Sequence, residues 1–249
     1  METELEFETN AGAWAISRAF LIRYNQIMFK SVGGIERLKG MLQTKLDGQA
    51  TQPLSPSQLS TIENTELLKV GEKIDLVLIS LGYKLTSEIL DCIEYYYDEK
   101  EQVEQPTQQT IQALDAFFSQ LPFPYFIDSL QKADRNTGKE KLTTWFQVCV
   151  NERVAHFMKQ YAHTLTEIED GVLYGYPLSA IRAFAQLIDV AVKTGKPSIE
   201  RYFVGAGRPS IAFYEAEEEY YRHIWDKVKQ VSPRLIEQTE KAYQASLHG

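Results

Sequence analysis

The stretch Asp170–Gly195, DGVLYGYPLSAIRAFAQLIDVAVKTG, decides the first reading of the fold. Pro177 stands where a first helical turn tolerates proline, and Gly195 where a helix commonly ends in a left-handed residue. Between them polar residues recur at Ser179, Arg182, Gln186, Asp189 and Lys193, with apolar residues or alanine elsewhere. A helix with so narrow a polar stripe must be covered over most of its circumference. Residues 178–192 are therefore read as the central helix of the chain.

Working outward, residues 11–30 carry Trp14, Phe20, Leu21, Tyr24, Ile27 and Met28 at helical spacing. A shorter helix is expected over 35–46. Ser55-Pro56-Ser57-Gln58 has the form of a capping box with proline at the first helical position. Leu67, Val70, Ile74, Val77, Leu78 and Leu81 keep the helical period, so IDLVLISL is expected to be a buried helix, with a short strand at 74–81 as the alternative. Thr86 is then expected to cap a helix through Ile89, Ile93 and Tyr96.

Residues 98–107, DEKEQVEQPT, are almost wholly polar. They mark the expected junction between an N-terminal portion, 1–105, and a C-terminal portion, 106–249, with one continuous domain as the alternative. Beyond them helices are expected over 107–120, up to Ala133, over 139–165 after the capping-box pattern Thr137–Glu140, up to Val204, over 210–231, and after Ser232-Pro233. The sum is an all-α bundle of about eight to ten helices.

Composition limits the function. The chain has 249 residues, 44% hydrophobic and 24% charged, which suits a globular protein with a sizeable core. Its net charge of −8 and scattered basic residues make nucleic acid an unlikely partner and a membrane surface an unexpected one. Cys92 and Cys149 are far apart with no Cys-x-x-Cys, no signal peptide is visible in METELEFETN, and no Asn-x-Ser/Thr sequon occurs. A cytoplasmic location is expected.

The motifs of P-loop enzymes, HExxH metalloproteases, GxSxG hydrolases and EF-hands are absent. No cofactor is expected. The loop Gly205-Ala206-Gly207-Arg208 precedes a helix, so its N–H groups and Arg208 are candidates for holding a phosphate or carboxylate, with Arg182 as a second cation. A tight turn with an exposed arginine is the plainer reading. Glu152/His156 and Glu219/His223 each place two metal-ligand types on one helical face, but a solvated face of weak ion pairs accounts for them.

Tyr95-Tyr96-Tyr97, Tyr174 with Tyr176, and Tyr220-Tyr221 suit half-buried surfaces, either within the molecule or against a partner or second copy. Glu217 stands apart from the neighbouring Glu215, Glu218 and Glu219. Its helical phase puts it among Phe213, Tyr220, Tyr221 and Trp225, so it should be buried and should bond outside its own helix, to Arg182, Arg208 or a tyrosine. Two functions follow as expectations: a helical protein-interaction module, or a helical enzyme or small-molecule binder with Glu217, Arg182 and Arg208 at an internal pocket.

Overall fold

The computed structural model describes residues 52–96, 108–133, 140–184, 197–205 and 210–248. The expected helices over 11–30 and 35–46, the polar stretch 98–107, and helix 178–192 beyond residue 184 lie outside the described residues. The elements are α1 (Pro56–Asn64), α2 (Val70–Ser80), β1 (Thr86–Tyr96), α3 (Gln108–Phe118), β2 (Tyr125–Ala133), β3 (Glu140–Cys149) and α4 (Glu152–Tyr161). After a 3-10 turn at Ala162–Thr164 come α5 (Glu167–Leu173), α6 (Leu178–Phe184), α7 (Ile199–Val204), α8 (Tyr214–Val231) and α9 (Pro233–His248).

The all-α expectation is overturned. β1, β3 and β2 form an antiparallel sheet in that order, where helices were expected from Thr86, up to Ala133 and over 139–149. The reason lies in β-branched and aromatic residues that favour a pleated surface, as in Thr143, Thr144, Trp145, Phe146, Val148 and Val150. Helices lie on both faces of this sheet, so the buried run at 145–150 shows no polar alternation. In β1 a register shift between Ile89 and Cys92 interrupts the period of two. β1 precedes residue 105, and its pairing partner β3 follows it.

Local signals elsewhere act as read. Ser55 caps α1 through the reciprocal box with Gln58. IDLVLISL is helical, not a strand, and Ile74, Leu76, Val77, Leu78 and Ile79 are buried. This helix joins the two cores. Leu76 and Ile79 pack with Phe118, Phe146 and Val148 toward the sheet, while Ile74, Val77 and Leu78 pack with Tyr221, Ile224, Val228 and Leu235 of α8 and α9. Its neighbours on both sides explain why it is apolar almost all round.

Residues directly opposite in the sheet share a face. One face carries Ser87, Ile89, Tyr125, Phe146 and Val148. Phe118 of α3 packs there, its ring 5.2 Å from Phe146 and 5.4 Å from Tyr125, and Ser87 donates to Asp75 of α2. The other carries Thr86, Glu88, Phe126, Asp128, Trp145, Gln147 and Cys149. Lys159 of α4 lies over the Phe126 ring, His163 meets Asp128 and Trp145, and Tyr174 after α5 reaches Glu88.

The α5–α6 turn that carries Tyr174 depends on Gly175. Its φ of 77° is in the left-handed region, and a β-carbon there would stand 1.9 Å from the Tyr83 carbonyl oxygen. The Tyr220 hydroxyl donates to the Gly175 carbonyl, fastening α8 to the same turn.

Candidate functional site

Two buried polar clusters are candidates. The first is built by α6, α7, α8 and the turn before α8. α7 is capped by Ser198, which accepts from the Arg201 N–H, and it ends at Gly205. Gly205 lets the chain turn tightly over Arg201: a β-carbon there would come within 2.5 Å of the Arg201 carbonyl oxygen. The Arg201 guanidinium lies 4.9 Å from the ring centroids of both Tyr214 and Tyr221, a cation–π sandwich. Its Nε donates to Glu218, and its Nη2 reaches Glu217 Oε2 at 3.4 Å.

Glu217 is buried while Glu215 and Glu219 are exposed and Glu218 is intermediate, as the helical phase requires. It also bonds outside its helix. Its carboxyl accepts from the Ser210 N–H, at 3.1 Å to Oε1 and 3.3 Å to Oε2. The cation it meets is Arg201, a residue the sequence reading did not single out. Six helical residues are too few to show a periodic face, so the only local signals were the Ser198 cap and Gly205 four residues after the arginine.

The electrostatics of the two carboxylates differ. Burial pushes the Glu217 pKa above the usual carboxylate value, opposed by the Ser179 hydroxyl, the Ser210 N–H and Arg201. Burial also works against the Arg201 charge, but the Glu218 bond and the nearby acidic groups outweigh it and raise the arginine pKa. Arg201 is thus committed first to Glu218, and Glu217 at 3.4 Å receives the weaker share. Two donors are left over: Arg201 Nη1 and the Ser179 hydroxyl are buried without a well-formed hydrogen bond, although the hydroxyl lies beside the Glu217 carboxyl.

Of the expected anion-binding residues, only Gly205 is seen against this cluster, where it closes over Arg201. Gly205 closes α7, Arg182 is half-buried on α6, and Gly207 and Arg208 lie outside the described residues. The Ser210 N–H, at the start of the turn into α8, already takes the chain's own carboxylate from Glu217. That is the kind of group an exogenous anion would have supplied.

The second cluster lies on the polar face of the sheet. Trp145 Nε1 donates to Gln147 Oε1 at 2.9 Å, Gln147 Nε2 to Thr86 Oγ1 at 2.6 Å, and the Thr86 hydroxyl to the Val148 carbonyl at 2.8 Å. With that proton committed, the Cys149 thiol is the donor in its 3.3 Å contact with Thr86. Burial pushes the Cys149 pKa up to about 12, so the thiol stays protonated and is no nucleophile. The Tyr174 hydroxyl donates to Glu88 at 2.7 Å; burial, then the Glu88 charge, raise its pKa far above the ordinary tyrosine value.

Glu152 and His156 are both exposed on α4; Glu219 is exposed on α8, and His223 is 3.4 Å from the Tyr83 hydroxyl. Among the described residues no group of three His, Cys, Asp or Glu lies close enough to hold a metal ion. The tyrosines singled out in the sequence are largely internal where described: Tyr221 is in the core with α2 and α9, Tyr176 packs against the sheet-side core, and Tyr174 and Tyr220 make the bonds given above. Among the described residues the exposed tyrosines are two others, Tyr202 and Tyr214.

Among the described residues no helix is long and apolar enough to cross a membrane. No known family, curated protein or solved structure matches the chain.

Proposed function

We propose that this chain is a protein-interaction module whose docking surface is carried by α7, the turn before α8, and the first residue of α8. One observation supports this above the others. Tyr202, Ile211 and Tyr214 are 50%, 55% and 42% exposed, three of the six exposed large apolar side chains among the described residues, all within thirteen positions. Tyr214 is also fixed from behind by the buried Arg201 guanidinium, and Tyr202 by the Tyr243 ring at 5.6 Å. Exposed aromatic side chains already held in place lose little entropy on binding, which is what an anchor residue needs.

The partner is a protein or a second copy of the chain rather than a nucleic acid, given the net charge of −8. The cysteine pattern supports a reducing, cytoplasmic compartment. A photo-crosslinking side chain at Tyr202 or Tyr214, with Glu237 on α9 as control, tests the reading in cells. A discrete adduct at the first two positions, absent at the third and lost on Ile211→Ser, is expected. Identical adducts at all three positions would defeat the proposal.

The second reading, a small-molecule binder or enzyme with Glu217 as its acid and Arg201 beside it, is favoured by the leftover Arg201 Nη1 and Ser179 hydroxyl. In this reading the sequence candidates Arg182, Gly205, Gly207 and Arg208 would supply the ligand contacts. A metabolite that raises the melting temperature of the wild type and not of Arg201→Met supports it.

A further inference from the structure

We draw no further inference here: the strongest candidate, the buried Arg201–Glu217–Glu218 cluster between α6, α7 and α8 with its leftover Arg201 Nη1 and Ser179 hydroxyl, belongs to the site already described.

Discussion

On the polar face of the sheet the buried groups are neutral, and each donor has an acceptor: indole to amide, amide to hydroxyl, hydroxyl to carbonyl, thiol to hydroxyl. In the cluster between α6, α7 and α8 they are charged, one cation against two carboxylates, with a guanidinium nitrogen and a serine hydroxyl left over. A satisfied neutral network fixes how helices sit on a sheet and loses stability only when a partner is removed. A buried charge cluster depends on keeping every charge compensated, and it responds to pH. The first reads as architecture. The second is where perturbed groups and exposed aromatic side chains meet.

Removing the cation should have the largest effect. Arg201→Met keeps the aliphatic packing between Tyr214 and Tyr221 but leaves Glu217 and Glu218 without a counter-charge. A loss of about 3–5 kcal/mol is expected, measured by denaturant unfolding. A loss below about 1 kcal/mol would mean that the cluster is not held together by charge, and the contrast with the sheet network would collapse.

The neutral network should give less. Gln147→Leu strands the Trp145 N–H and removes the donor to Thr86, for an expected cost of about 1–3 kcal/mol. Adding Thr86→Val removes the facing hydroxyl, so the double variant should cost less than the sum of the two single ones. Additive losses would show that the two side chains do not act as one network. Smaller still is Tyr174→Phe, which deletes a bond to the exposed Glu88. About 0.5–1.5 kcal/mol is expected, read as a fall in melting temperature of a few degrees at most.

The helical parts were legible because their signals are local. The Ser55 box, the buried run at 74–80 and the burial of Glu217 on α8 all follow from neighbours within a turn or two. The sheet was not legible for three separate reasons. From Trp145 onward β3 is buried on both faces, so the stretch 145–149, with Gln147 as its one polar residue, lacks polar alternation and fits helix and strand alike. β1 loses its alternation at the register shift after Ile89, and Ile89, Ile93 and Tyr96 fall by chance on a helical spacing. The β1–β3 pairings join residues far apart in sequence, from Tyr96 with Glu140 to Thr86 with Cys149, and no local pattern reports them. Arg201 was missed for the same kind of reason, since its carboxylate partners lie on another helix.

An effect no larger than that of Tyr174→Phe separates the two clusters most clearly. Burial raises the Glu217 pKa, so the folded protein holds that proton more tightly than the unfolded chain. The stability this contributes is fully present below the unfolded value of 4.5, and it is lost as pH rises through the higher folded value. Glu217→Gln carries no titrating proton, yet its amide oxygen can still accept from the Ser210 N–H. The difference in melting temperature, wild type minus variant, should therefore fall as pH rises from about 4.5 toward neutrality. Near pH 7 the two proteins should lie within about 2–4 °C, the equivalent of roughly 1 kcal/mol for a chain of this size. Other carboxylates titrate in both proteins and cancel in the difference. Should the wild type instead gain on the variant as pH rises, Arg201 at 3.4 Å holds Glu217 ionised against its burial, and the cluster is an ion pair of ordinary sign. A flat difference would mean that the proton binds the folded and unfolded states equally, and the charged cluster would then be as indifferent to pH as the network on the sheet.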